Sequence, residues 1–148
     1  MDIEVDQSAQ DYDNVTTEIT GWGQTDQEIP NVSAVLKEAN LSTMANSECS
    51  EVLKENFGDN RAITDNMICA GVEADQPSQV EGPCSGDSGG PLITRKENTG
   101  RYHQIGIVSF VLGAQLRNGR GLPCLFRVFS RVTAQLDWIK KMIKKDNK

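Results

Sequence analysis

The chain has 148 residues, of which 37% are hydrophobic and 24% are charged, and its formal net charge at pH 7 is −6. This length predicts one domain with a real core, and the excess of acid argues against nucleic acid as a partner, because phosphate contacts need clustered Lys and Arg. No apolar stretch approaches the ~20 residues of a membrane-spanning helix, so we expect no membrane partner.

The cysteines predict the compartment. The chain has four cysteines, which are widely spaced and form no C-x-x-C pair, and His103 is its only histidine. Clustered zinc ligands are therefore missing, and we expect neither a metal nor another cofactor. An even number of spaced cysteines is typical of two disulfides and an oxidising environment. Because the N-terminus lacks the basic and apolar regions of a signal peptide, we expect an extracellular protein whose signal is missing from this chain.

The N-terminal half begins with a strand pattern. Residues 1–14 are polar and aperiodic and predict an extended linker, whereas the β-branched residues 15–20 predict a strand that runs into a turn with Trp22 as an aromatic anchor. Residues 34–41 fit a short helix on periodicity alone. Ser47 is a candidate N-cap for a short helix over 48–56.

The C-terminal half reads as strands followed by a helix. Residues 91–95 and 102–110 predict two strands, the second with a near-continuous apolar run typical of burial. A polar loop is expected over 113–121 and a last strand over 125–132. Residues 133–143 carry apolar residues at helical spacing and end in lysines that complement the helix dipole, which predicts an amphipathic helix.

Between these halves, glycines bracket one hydroxyl, that of Ser88. Glycines allow positive φ, so such a loop can direct successive N–H groups at one point, as an oxyanion hole requires. The pattern Gly-x-Ser-x-Gly also fits the nucleophile elbow of α/β-hydrolases, but that elbow needs an apolar strand before it and a helix after it. Here residues 73–81 are polar and residues 91–94 predict a strand. A tight turn with an incidental serine remains the alternative.

The hexapeptide Gly-Asp-Ser-Gly-Gly-Pro at residues 86–91 resembles the nucleophile motif of the chymotrypsin/trypsin-like serine proteases. Four further segments resemble the family in the family's order, so that the resemblance covers about residues 15–143. They are Gly-Trp-Gly at 21–23, residues 63–71, Ile-Val-Ser at 107–109 and Leu-Asp-Trp-Ile at 136–139.

The resemblance implies an all-β fold. It implies an antiparallel six-stranded barrel, the second half of the family's two-barrel fold, with a short helix near 48–56 and a C-terminal helix. Residues 15–148 would form this barrel and the first barrel would be absent. It also implies a strand at 34–41 and disulfides Cys49–Cys69 and Cys84–Cys124. The third disulfide of many members is absent, because Thr17 and Thr94 stand near the matching positions.

The family's catalytic roles carry over to the hexapeptide. Ser88 would be the nucleophile, and the N–H groups of Gly86 and Ser88 would form the oxyanion hole. In activated members the aspartate matching Asp87 pairs with a freshly cleaved N-terminus. This chain carries no such apolar terminus, so we expect Asp87 to be unpaired or to pair elsewhere.

The rest of the catalytic triad has no match. The family's histidine and aspartate come from the first barrel, and His103 lies after the serine in a different context, which predicts a surface or edge-strand histidine. We therefore expect a serine endopeptidase by family that acts on polypeptides, is inactive as an isolated chain and needs a first-barrel segment or chain as partner. The alternative is a non-catalytic fragment or a binding and regulatory module.

The primary specificity pocket is partly readable. Members that cleave after Lys or Arg have an aspartate where this chain has Gly82, and the pocket wall maps onto Ser109, Phe110 and Val111. Arg127 stands where the family usually has a glycine. Three interpretations stay open: the arginine favours acidic side chains, it fills the pocket, or it turns to solvent.

Overall fold

The computed structural model describes residues 12–25, 31–57, 62–71, 82–96, 100–115 and 121–146. In this part of the chain the β-branched and apolar segments form six strands. They are β1 (Thr16–Gly21), β2 (Lys37–Met44), β3 (Met67–Gly71), β4 (Pro91–Arg95), β5 (Tyr102–Gln115) and β6 (Gly121–Arg131). Two α-helices, α1 (Asn46–Phe57) and α2 (Leu136–Asp146), accompany them, with a short 3-10 helix (Thr133–Gln135) before α2.

The strands close into one antiparallel barrel in the order β1-β2-β3-β6-β5-β4. The six-stranded barrel and its two helices are therefore confirmed. Closure leaves no sheet edge, so each strand is paired with a neighbour on both sides. Residues 34–41, which the sequence left open between a helix and a strand, form a strand from Lys37 onward. Lys37 through Ser42 pair with β1.

The core has two parts. Inward-facing side chains fill the barrel, among them Leu41, Ile68, Leu92 and Phe129, each at most 3% exposed. A second cluster lies between α1 and the barrel wall and includes Leu53, Phe126 and Val128. Tyr12, within the segment predicted as a linker, is also buried in the barrel core, and residues 1–11 lie outside the described residues.

Both predicted disulfides are formed. Cys49 of α1 joins Cys69 of β3, and Cys84 joins Cys124 of β6, across Cα–Cα distances of 6.3 and 5.3 Å. The first bridge attaches α1 to the wall it covers. Constraining a loop of this length in the unfolded chain contributes about 3 kcal/mol in the chain-entropy model.

Several predicted boundaries are wrong. Ser47 is not the N-cap, because it lies inside α1, which begins at Asn46. The carbonyl of Ala45 already accepts from Cys49 N–H at 2.9 Å. The loop expected over 113–121 is shorter, since β5 runs to Gln115 and β6 begins at Gly121. Strand pairing extends these ends where local composition favours a loop. Trp22 is 57% exposed and does not act as an aromatic anchor.

Two threonines occupy the positions where the resemblance would allow a third bridge. Thr17 and Thr94 are 1% and 8% exposed. Thr17 Oγ1 donates to the carbonyl of Leu41 at 2.8 Å, and Thr94 Oγ1 donates to that of Thr16 at 3.0 Å. Hydroxyl-to-carbonyl bonds thus connect β1 to the strands on both of its sides. Within the described ranges, no helix is long and apolar enough to cross a membrane.

The first prediction concerns the buried Thr17 hydroxyl. Thr17→Val keeps the shape of the side chain but removes the donor to Leu41, so we expect the free energy of unfolding to fall by about 1–2 kcal/mol in urea denaturation. Thr16→Val is the matched control, because Thr16 is exposed and its side chain should contribute little. Equal effects of the two changes would contradict this assignment.

Candidate active site

Ser88 lies at an exposed corner of two successive β-turns. In the first turn the N–H of Asp87 donates to the carbonyl of Cys84 at 3.0 Å, and in the second the N–H of Gly90 donates to that of Asp87 at 2.9 Å. The third residue of each turn is a glycine with positive φ, 99° at Gly86 and 84° at Gly89. A type II turn requires this backbone conformation at that position, so the two glycines fix the path of the loop around Ser88.

The Asp87 carboxylate holds this loop from within. Its Oδ1 accepts from Gly23 N–H at 2.7 Å and its Oδ2 accepts from Cys84 N–H at 2.9 Å. The carboxylate of half-buried Asp87 therefore pairs with two backbone donors, one in its own turn and one beyond the end of β1. Charge-assisted bonds of this kind are stronger than bonds between neutral groups.

The glycines of Gly-Trp-Gly make room for this carboxylate. A β-carbon added at Gly21 or Gly23 would overlap the carboxylate of Asp87. The sequence marked these glycines only as a turn and gave no sign of the contact with Asp87, 64 residues from Gly23 along the chain. A second link, from Gln24 N–H to the carbonyl of Ser85 at 2.8 Å, ties the same two segments together.

The other side of the loop is bonded to β5. Gly89 N–H donates to the carbonyl of Val108, and Val108 N–H donates to that of Gly90, both at 2.9 Å. The pairing of β5 with β6 shifts between Val108 and Phe110, which leaves Ser109 as the extra residue of a bulge. Bulges redirect side chains next to functional sites. Ser109 is exposed at this point.

The two candidate oxyanion donors are unused. Among the described residues, neither the N–H of Gly86 nor that of Ser88 donates a hydrogen bond to another group of the chain. Both belong to the loop whose conformation the turns and Asp87 fix. They are therefore available to an oxygen bound beside the Ser88 hydroxyl.

Arg127 is buried, which excludes the interpretation that its side chain turns to solvent. Only 2% of the residue is exposed. A β-carbon added at Gly82 would lie 2.5 Å from the guanidinium carbon, so the guanidinium occupies the space beside Gly82. Burial removes its hydration and lowers the pKa of Arg127 to about 10. The group is still a cation at neutral pH.

The predicted wall residues do not all face this arginine. Val111 pairs with Arg127 across β5 and β6 and is half-buried. Phe110 instead packs against the cluster between α1 and the barrel, which contains Phe126 and Val128. Strand alternation explains the difference, since neighbouring side chains point to opposite faces of a sheet.

His103 is not at the surface. It is 7% exposed and lies on β5 opposite Thr94, in a barrel without an open edge. The loop of Ser88 bonds to the same strand at Val108, five residues further on, which corresponds to roughly 17 Å of strand. A serine and its base must be within about 3.2 Å. Within the described ranges, no group of three or more His, Cys, Asp or Glu residues could hold a metal ion.

A closed antiparallel barrel carrying Gly-Asp-Ser-Gly-Gly-Pro in a hydrogen-bonded loop is typical of the chymotrypsin-like class of serine proteases. The family model for trypsin matches residues 3–139, and the chain belongs to this trypsin-like serine protease family.

Curated relatives agree. The clotting factor G beta subunit of Tachypleus tridentatus is 34% identical over 131 residues, covering 87% of this chain and 39% of that protein. Human tissue-type plasminogen activator is 37% identical over 126 residues, covering 83% and 20%. Mouse serine protease 28 is 33% identical over 132 residues, covering 84% and 42%. The chain thus spans less than half the length of these relatives.

The second prediction tests the contact between Gly23 and Asp87. Gly23→Ala places a methyl group against the carboxylate and should destabilise the chain by about 1–3 kcal/mol in urea denaturation, as other overpacked sites do. Gly71→Ala is the control, because a β-carbon there meets nothing within 4 Å.

The partner of this methyl group is identified by a double-mutant cycle. In an Asp87→Ala background the added cost of Gly23→Ala should largely disappear, because the carboxylate that it strikes is gone. An unchanged cost would show that the strain arises elsewhere.

The third prediction concerns the buried charge of Arg127. Arg127→Met should raise the free energy of unfolding at pH 7 by about 1–4 kcal/mol, because it removes a desolvated cation and keeps much of its volume. The penalty is complete at pH 7, since Arg127 stays protonated there, and it is relieved only as pH rises past the folded pKa of about 10.

Arg131 provides the matched control for this change. Its Nε donates to the carbonyl of Met67 at 3.0 Å and its Nη2 donates to Asn46 Oδ1 at 3.4 Å. Arg131→Met should therefore destabilise the chain, measured by the same urea denaturation. A loss of stability in both variants would contradict the view that Arg127 is an uncompensated charge.

Proposed function

We propose that Ser88 is the nucleophile of a serine endopeptidase. The observation that carries the proposal is an exposed hydroxyl on a loop that hydrogen bonds fix on both sides, next to two unused N–H groups. Ser88 Oγ would attack a peptide carbonyl carbon, and the carbonyl oxygen would become an anion facing the N–H groups of Gly86 and Ser88. Preorganised donors of this type typically contribute factors of 10²–10³ to the rate.

The reaction needs a base, and the residues that the structure describes place none at Ser88. The base takes the Ser88 proton and later gives it to the leaving amine, which leaves an acyl group on Oγ for water to hydrolyse. His103 is buried on β5 and too far along that strand to serve. We propose that a histidine, held by an aspartate, comes from a first-barrel segment of a longer protein or from a separate chain, and that the isolated chain is inactive.

An apolar surface beside the loop supports the proposal that another segment or chain packs there. Trp22, Val32 and Val35 are 57–68% exposed. Hydrogen bonds connect their segments: Ser33 N–H donates to the carbonyl of Trp22, Ser33 Oγ donates to that of Val35, and Val32 forms a β-bridge with Gln24. Val32 also borders the loop, within 3.6 Å of the place where a Gly86 β-carbon would lie. Exposed apolar groups clustered near a site favour a partner surface.

Extracellular location belongs to the same proposal. The two disulfides persist in an oxidising environment and would be reduced in the cytosol. A polypeptide substrate follows from the family, whose members cleave peptide bonds. If no base ever reaches Ser88, the same barrel would act as a non-catalytic binding module, and the experiment below separates the two cases.

The fourth prediction is labelling of Ser88 by a fluorophosphonate probe. The chain alone should react slowly, because no described residue is placed to act as a base for Ser88. Addition of a first-barrel fragment that carries the family histidine and aspartate should raise the rate by about 10²–10⁴, the usual contribution of a general base. Intact-mass spectrometry and peptide mapping measure the adduct.

Two serine variants control this experiment. Ser88→Ala should abolish the adduct under all conditions, whereas Ser85→Ala removes an exposed hydroxyl of the same loop and should retain it. Labelling that survives Ser88→Ala would assign the reactive group elsewhere. No labelling with the fragment present would favour the binding module.

A further inference from the structure

A modification motif that the proposed function does not use lies where the chain enters the barrel. The pattern Asn-x-Ser/Thr, in which x is not proline, is the acceptor sequence for N-linked glycans in secreted proteins. The chain carries this pattern three times, beginning at Asn14, Asn31 and Asn40. The three copies have different surroundings in the fold, so they differ in how accessible they are as acceptors.

The motif at Asn14 presents both of its consensus side chains to solvent. Asn14 lies in a turn just before β1, with a left-handed φ of 56° that asparagine tolerates better than most residues do. Asn14 and Thr16 are exposed, whereas Val15 between them is half-buried and packs against the barrel core. The acceptor amide and the hydroxyl two residues later are therefore accessible together on the folded barrel.

Backbone hydrogen bonds hold this motif in place without using those two side chains. Asn14 N–H donates to the carbonyl of Thr43 at 3.1 Å, and Val15 N–H donates to Thr43 Oγ1 at 2.9 Å. Thr43 N–H in turn donates to the carbonyl of Val15 at 3.0 Å. Among the described residues, the side-chain amide of Asn14 has no hydrogen-bond partner. A glycan on this amide would therefore break no hydrogen bond of the fold.

The motif at Asn31 is less accessible, because its consensus hydroxyl is already bonded. Ser33 is half-buried, and its Oγ donates to the carbonyl of Val35 at 2.6 Å. Val32, the middle residue of the motif, belongs to the exposed apolar surface on which we propose that another segment or chain packs. A glycan at Asn31 would occupy the edge of that surface.

The motif at Asn40 lies inside a paired strand. Asn40 and Ser42 are both exposed, but they belong to β2 and pair with Glu18 and Thr16 of β1. This pairing holds the backbone extended within the closed barrel. Acceptor asparagines are typical of surface loops, so the strand is a poorer setting than the turn at Asn14.

We propose that Asn14 carries an N-linked glycan. In this reaction Asn14 Nδ2 forms a bond to C1 of an oligosaccharide, and the C1–O bond to the lipid-linked diphosphate that carries the oligosaccharide breaks. The diphosphate leaves with the electron pair of that bond, and the proton lost from Nδ2 goes to a base of the transferring enzyme. The inference rests on the extracellular location within the proposed function and not on the chemistry of Ser88.

The glycan would lie at the far end of β1 from the candidate active site. The whole of β1 (Thr16–Gly21) separates Asn14 from Gly23, whose N–H binds Asp87. At the usual rise per residue this strand spans roughly 17 Å. A bulky sugar at Asn14 would therefore leave the loop of Ser88 uncovered, and it would keep a protein partner away from this end of the barrel.

The fifth prediction is a glycan at Asn14 in animal cells that express the 148-residue chain behind a fused secretion signal. The chain is recovered through a C-terminal affinity tag from both the medium and the cell lysate, so that failure to secrete does not prevent the measurement. Peptide N-glycosidase in heavy-oxygen water converts each glycosylated asparagine to a heavy aspartate. Cleavage after glutamate, at Glu18, Glu28 and Glu38, separates the three motifs for mass spectrometry. We expect the heavy aspartate at position 14 in most molecules.

Two substitutions of Thr16 are the matched controls. Thr16→Ser keeps the consensus hydroxyl and should retain the glycan at Asn14, whereas Thr16→Val keeps the shape of the side chain and should abolish the glycan. Thr16 is varied because it is exposed, while most replacements of Asn14 would be strained at its left-handed φ. Thermal melting verifies that both variants fold. Enzymatic removal of the glycan should leave the rate of fluorophosphonate labelling of Ser88 unchanged.

An unmodified Asn14 in both the medium and the lysate would overturn the proposal, as would a glycan that survives Thr16→Val. Modification of Asn31 or Asn40 in place of Asn14 would overturn it too, because accessibility on the barrel would then not decide the acceptor. Failure of the proposed function is distinguishable: a glycan at Asn14 without fluorophosphonate labelling supports the modification and not the enzyme. Labelling of Ser88 in a chain without the glycan supports the enzyme and overturns the modification.

Discussion

The Asp87 carboxylate connects the end of β1 to the turns that carry Ser88. It accepts from Cys84 in its own turn and from Gly23 just beyond β1. Without these two bonds, the loop of Ser88 would be held by the bonds to Val108 of β5, by the bond from Gln24 to Ser85 and by the Cys84–Cys124 disulfide. A carboxylate bonded on both oxygens restrains the turn on either side of it, since Asp87 ends one turn and begins the next. The orientation of the N–H groups of Gly86 and Ser88 therefore depends on an interaction made by the residue between them.

This dependence explains why some features could be predicted from sequence and others could not. The barrel, its strands and both disulfides followed from alternating apolar residues and from a resemblance carried by short motifs. The start of α1 was misplaced, because Ser47 is a good cap residue in isolation, whereas Asn46 Nδ2 bonds to the carbonyls of Thr64 and Met67 across the fold. Local preference could not weigh contacts with residues far along the chain.

In the candidate site, too, sequence could identify residues but not their contacts. Sequence motifs named Ser88, Gly86, Asp87 and Arg127, but they left open whether Arg127 faced solvent and what Asp87 would bind. Both answers depend on packing between distant segments, such as the approach of Gly82 to the guanidinium. The burial of His103 was missed because a polar residue in an alternating strand looks exposed until the closed barrel is known. Predictions from local sequence fail most often at functional sites, where the fold brings distant residues into contact.

The charged groups near the loop of Ser88 are satisfied unequally. Asp87 lies five residues after Gly82, yet the fold satisfies it through backbone N–H groups, and in the described part of the chain it forms no ion pair with Arg127. The guanidinium is thus left with two buried donors, Nε and Nη1, that have no acceptor among the described residues. Salt screens interactions between exposed charges beyond about 8 Å at physiological ionic strength, whereas a buried charge is screened far less. The cost of burying the Arg127 charge should therefore respond weakly to added salt.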